Sequence, residues 1–203
     1  TAAAGSPIIG KVTVKDSTGA QRTVDIATDG SYSVDVAGMS APFLFRATGT
    51  VGGRDVAYVS ASTGAGTVNI TPFTDLIVAN IVGMATETYF ASTNPSANTI
   101  TAAELSARTQ ELATRIRPAL DALGVARTFD LLHTAFKADH SGFDAVMDVL
   151  KVEVDAAAAK ATITNVVDNQ KVIDDLTSKT DSTALSAADS TLQTAVGDLA
   201  GIE

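Results

Sequence analysis

The sequence predicts an α+β fold: a small antiparallel β-sandwich followed by a helical layer with an inserted β-hairpin and a C-terminal helix. Two observations carry this reading. Up to residue 70, apolar and polar residues alternate at period two between clusters of Gly, Asp and Ser, the pattern of short half-buried strands. From Thr71 the chain becomes almost continuously apolar and then turns to leucines spaced three and four apart, the pattern of packed helices. The division falls at 1–70 for the sandwich and 71–203 for a mainly helical region packed on it, with the hairpin near 150–167.

The strand sets are Val12 and Val14, Val24 and Ile26, Tyr32, Val34 and Val36, and Phe43 and Phe45, followed by the stretches Val56–Ser60 and Thr67–Ile70. Between them stand DSTG at 16–19, TDG at 28–30, AGMSAP at 37–42 and GTVGG at 49–53, whose Gly, Asp and Ser residues make tight turns. Short connections of this kind favour antiparallel neighbours, and five or six closely spaced strands argue for a small sandwich or barrel.

The segments GKVTVKDSTG, IATDGSYSVDV and APFLFRATG, with the glycines after them, resemble the bacterial relatives of the carboxypeptidase regulatory-like, transthyretin-like β-sandwich over roughly residues 8–70. The resemblance implies an immunoglobulin-like sandwich. The region after Gly19 is shorter than that family's pattern, which leaves room for a missing or externally supplied strand. With GTVNITPFTDLIVANIVG behind the sandwich, the chain is similar to secreted or lipid-anchored surface proteins of Gram-negative bacteria, and that similarity implies an extracellular or outer-surface location.

Thr71 is placed to cap a helix with Pro72 at its first position, where the missing N–H costs no intrahelical bond. Phe73, Leu76, Ile77, Val78, Ile81, Val82 and Met84 surround much of that helix, so it is expected to be packed on more than one side. Thr101 and Glu104 form a capping box ahead of Leu105, Leu112, Ile116, Leu120 and Leu123, with Pro118 kinking or restarting the helix and Gly124 stopping it. A second short helix is expected after Thr128, carrying Leu131, Leu132 and Phe136, and a third around 141–149. Val152 and Val154, then ATITNVV, predict the hairpin, with the intervening AAAAK as its loop despite the helix propensity of alanine. From Ser182, Leu185, Ala188, Leu192, Ala195 and Leu199 draw a narrow apolar seam on a polar helix.

Composition restricts function. The net charge of −9 and the lack of clustered Lys and Arg oppose a nucleic-acid partner. With no cysteine, the chain has neither disulfides nor thiolate ligands nor a cysteine nucleophile. The longest apolar run, 76–85, falls well short of the about 20 residues that span a bilayer, so no transmembrane segment is expected. The opening TAAAGSPIIG has no basic segment and no apolar signal core; it reads either as a mature start from which a signal has been removed or as a cut in a longer chain.

Chemical motifs are sparse. DLLHTAFKADHSGFDAVMD, 130–148, gathers His133 and His140 with Asp130, Asp139, Asp144 and Asp148. Imidazole and carboxylate suit borderline metals, yet the histidines are seven apart without an HExxH pattern, and a solvated acidic face is the plainer expectation. No serine stands in a G-x-S-x-G elbow, the two histidines have no identifiable serine partner in sequence context, the adjacent Asp174 and Asp175 cannot oppose each other across a bond, and the glycines match no phosphate-binding loop. No cofactor and no catalytic or metal residue is expected.

The reading that follows is a non-enzymatic cell-surface or extracellular structural protein, a self-assembling subunit of a fibre or adhesive layer. Its partners would be further copies of itself or another surface protein. The alternatives are a carbohydrate- or small-ligand-binding module, and a metal-dependent hydrolase using the His/Asp cluster. Assembly is expected through a leader that extends onto a neighbour, with Ala2, Ala3, Ala4, Pro7, Ile8 and Ile9 as contacts and Leu185, Leu192 and Leu199 as a secondary seam; the opposing possibility is a leader packed on its own sheet.

Overall fold

The computed structural model describes residues 1–92, 94–178 and 184–185. Its N-terminal sheet has four antiparallel strands, β1 (Ile9–Lys15), β2 (Gln21–Asp25), β3 (Phe43–Val51) and β4 (Arg54–Ser62), in the order β2-β1-β3-β4. The β1–β2 turn is built by Asp16, whose Oδ1 accepts from the Thr18 and Ala20 N–H groups at 2.8 and 2.9 Å while Oδ2 accepts from the Ser40 N–H at 2.8 Å. Those donors, Ser40 first, hold its carboxyl down to about 2. Val12 lies opposite Ala47 and Val14 opposite Phe45, so the alternating pattern gathers these apolar side chains on one face of the sheet.

The two faces are covered differently. Leu44, Val59 and Ala61 point to the helices, and Val12, Val14, Phe43, Phe45 and Ala47 point to a second apolar cluster closed by Ala2, Ile8, Ile26, Val68 and Ile70. Residues 31–36, which the alternation predicts as a strand, run outside any ladder. Arg22 of β2 donates to the Asp35 and Ala37 carbonyls, and the Tyr32 hydroxyl donates to the Val68 carbonyl at 2.7 Å. Side-chain donors thus hold this segment against the sheet, with Tyr32, Val34 and Val36 half-buried on the second cluster.

Helix α1 (Pro72–Val82) begins at Thr71, whose hydroxyl accepts from the Thr74 N–H at 3.2 Å while the Thr71 N–H donates to the Thr74 hydroxyl at 2.9 Å. It ends at Gly83, in the left-handed region at φ 70°, where glycine is unstrained. Phe73, Leu76, Ile77, Val78 and Ala79 are all fully buried between the sheet and the other helices, as the two-sided pattern predicts. Met84 lies beyond the helix and is exposed, and a separate α2 (Thr86–Ser92), not anticipated from the sequence, follows.

Helix α3 (Ala102–Arg115) is capped by Thr101, and α4 (Arg117–Ala122) restarts behind it with Pro118 in its first turn. The short helix expected after Thr128 is a single turn. Asp130 Oδ1 accepts from the Leu132 N–H, and Asn69 takes the Leu131, Leu132 and Thr134 carbonyls that a longer helix would need for itself. The segment is instead fixed by aromatic packing: Phe143 lies 4.7 Å from Phe129 and 5.1 Å from Phe136 between ring centroids. Helix α5 (Phe143–Val149) runs into a second sheet, β5 (Leu150–Asp155), β6 (Lys160–Asn165) and β7 (Lys171–Asp175), an antiparallel meander that adds one strand to the expected hairpin. Asp155 Oδ1 accepts from the Ala157 and Ala158 N–H groups, which turns the alanine run into the hairpin loop. The chain is α+β, as predicted. Among the described residues no helix is long and apolar enough to cross a membrane.

Candidate functional site

The leader folds into its own chain. Ala2, Ala3 and Ile8 are fully buried, Ala4 and Pro7 half-buried, and Ile9 exposed. Ala2 forms a parallel bridge with Ile70 and Ala3 an antiparallel bridge with Pro7. The Ala2 N–H donates to the Gly30 carbonyl at 2.8 Å, and the Ala3 N–H to the Ile70 carbonyl at 3.0 Å. Of the predicted C-terminal contacts, Leu185 is buried with its N–H donating to the Arg115 carbonyl at 3.0 Å. Leu192 and Leu199, with the rest of the expected C-terminal helix, lie outside the described residues.

The His/Asp cluster separates into two unconnected parts. Among the described residues His133 Nδ1 meets only Asp130 Oδ2 of its own turn, at 3.1 Å on the surface. His140, at φ 57°, places its N–H on Asp144 Oδ2 at 2.8 Å and its Nδ1 3.0 Å from Asp148 Oδ2. Across the ring, Ser6 Oγ lies 3.4 Å from Nε2. The order serine, imidazole, carboxylate is that of a nucleophilic relay. Here it fastens the leader turn to α5: Gly5, at φ 86°, packs so closely on Asp148 that a Cβ would collide with Oδ1. Burial pushes the Asp144 carboxyl up to about 6. Among the described residues no group of three His, Cys, Asp or Glu side chains is placed to hold a metal.

A third arrangement was not singled out from the sequence. Asp75, on the first turn of α1, is 8% exposed. Its Oδ1 accepts from the Val59 N–H of β4 at 2.7 Å and from the Thr86 hydroxyl at 2.6 Å. The Val59 bond satisfies a donor on the sheet's edge strand, which is the structural role of the residue. Oδ2 accepts from no described residue. Asp75 lines a cleft of about 360 Å³ where β4, α1, α2 and β5 meet, walled by Ala57, Pro72, Val152 and Val154 with Tyr58 and Glu87 alongside. Burial raises the Asp75 carboxyl to about 7, against the lowering effect of its two donors. Tyr58 is raised too, by burial and then by the Asp75 charge. Glu87 is held by Arg46, whose Nε donates to Oε1 at 2.7 Å. Largely apolar clefts with a few placed polar groups are the usual form of small-ligand sites.

The chain matches no protein-family model, no curated protein and no solved structure. The sequence did carry one signal for the cleft: Asp75 is the only charged residue in the run 72–83, and a carboxylate inside a two-sided apolar helix needs a partner. No comparable signal joins Ser6 to His140, which are 134 positions apart.

Proposed function

We propose that the chain is a non-enzymatic structural module of a bacterial cell surface or extracellular layer, and that copies are linked by exchange of the N-terminal leader. The observation that supports this is the way the leader is held. It is an extended segment bonded through its main chain to Gly30 and Ile70, and it joins the sheet through the short turn at Ala4–Ser6. Every one of those bonds can be made equally by the leader of another copy, which is the condition for strand exchange, and short hinge turns favour it.

The acceptor is open beyond the leader as well. A cleft of about 330 Å³ lies between residues 31–36 and 64–68, with Phe45 and Thr1 in its lining. The Tyr32, Ser33 and Val34 main chains join no ladder along it, and unpaired extended backbone of this kind accepts a strand. The resemblance of residues 8–70 to transthyretin-like sandwiches supports the same setting.

Because the chain has no cysteine, a designed pair reports exchange directly. In the variant Ala2→Cys/Ile70→Cys, the thiols stand at bridge partners. After concentration and oxidation, exchange gives covalent dimers and a ladder on a non-reducing gel. A product cross-linked only within single chains would refute exchange.

A further inference from the structure

We propose that the cleft over Asp75 binds a small organic cation, an alkylammonium group carried on a short aliphatic body. This site does not depend on the assembly proposed above. Its floor is a carboxylate whose Oδ1 is committed to Val59 and Thr86 and whose Oδ2 has no partner among the described residues, in a side chain more than nine-tenths buried. That oxygen is not sealed off inside the protein and is open to a donor entering the cleft. An ammonium N–H supplies both the donor and the countercharge. Ala57, Pro72, Val152 and Val154 line the same cleft, which suits an aliphatic body.

The remaining groups favour the same ligand class. Glu87 of α2 adds a second acidic side chain to the lining, and Arg46 of β3, 2.7 Å from it, offsets that charge without removing it. An anion would therefore meet two carboxyls. From β4 the facing titratable group is Tyr58, and the lining residues of β5 include no titratable one. Because burial keeps Asp75 partly protonated near neutrality, a cation has to displace that proton. Affinity then rises with pH through about 7 and levels off above it.

The test is titration of the purified chain with n-butylammonium chloride at about pH 8, followed by calorimetry or by chemical shifts, with n-butanol as the neutral comparison. The expected result is saturable binding of butylammonium at least about tenfold tighter than that of butanol. Two variants are expected to weaken it by about tenfold or more. Asp75→Asn keeps an amide oxygen for Val59 and Thr86 but removes the charge. Val154→Phe fills the cleft and leaves Asp75 untouched, so it tests the site even if the first variant folds poorly. Absence of saturable binding, equal binding of butanol, or unchanged binding in either folded variant would overturn the assignment.

Discussion

Replacing Asp75 by Asn should make the chain more stable above neutral pH and leave it nearly unchanged in mild acid. The carboxyl rises from 3.8 in the unfolded chain to about 7 in the folded one, chiefly because burial penalises its charge. Between those values the folded state keeps a proton that the unfolded state has lost. Stability therefore falls as pH rises through this window, the reverse of the usual salt-bridged aspartate. A shift of about 3 units corresponds to about 4 kcal/mol at about 1.36 kcal/mol per unit. Asparagine cannot ionise, yet its oxygen can still accept from the Val59 N–H and the Thr86 hydroxyl. The stability of Asp75→Asn minus that of the parent should thus grow by about 4 kcal/mol from about pH 4 to about pH 8, measured by urea unfolding with linear extrapolation. Asp144, raised to about 6, and Asp16, held at about 2, titrate in both proteins and cancel in the difference. A difference that stays within about 1 kcal/mol over that range would show that Asp75 ionises freely in the folded chain and that the burial argument is wrong.

Two further outcomes follow from buried contacts. Arg115 and Asp174 form an ion pair at 2.9 Å, with side chains 4% and 2% exposed, and Asn80 donates to the same Asp174 oxygen at 2.8 Å. Arg115→Met should cost about 3–5 kcal/mol in urea unfolding by stranding that carboxylate, and Arg115→Met/Asp174→Leu should recover much of the loss; a single variant within about 1 kcal/mol of the parent would contradict this. Deleting residues 1–8 should destabilise the fold rather than leave it intact, since it removes Ala2, Ala3 and Ile8 from the core. The Ile8 side chain alone accounts for about 2–5 kcal/mol, so an unchanged melting temperature would place the leader outside the core in solution.

The parts of the fold that sequence reasoning recovered are those in which the local pattern and the tertiary environment agree. The alternation of Val12, Val14, Phe43 and Phe45 is decided by one buried sheet face, and Thr71-Pro72 marks the start of α1 by backbone chemistry alone. Local pattern failed where a distant partner intervened. Residues 31–36 alternate like a strand, but Arg22 and Tyr32 side chains, rather than a ladder, hold them. Leu131, Leu132 and Phe136 have helical spacing, but Asn69, about 60 positions earlier, takes the carbonyls, and Phe143 takes the ring. The leader of small residues suggested a free extension because nothing in AAAGSPIIG shows that Ile70 and Gly30 will close over it.

The same distinction explains why the histidine cluster stood out in the sequence and the cleft did not. Concentration of like residues is visible along a chain, but it says little about chemistry until side chains converge, and in the folded chain His133 and His140 serve separate turns. Asp75 is solitary in sequence, and its significance comes from three places at once: an edge strand that presents an unpaired N–H, a threonine after the helix stop, and the apolar side of β5. A helix that must bury nearly all of its surface has one economical use for a carboxylate, which is to satisfy the strand edge it covers. A backbone N–H and a hydroxyl occupy one oxygen. The second oxygen is then left facing the junction of the layers, so the covering of a sheet edge and the polarity of the cleft have the same origin.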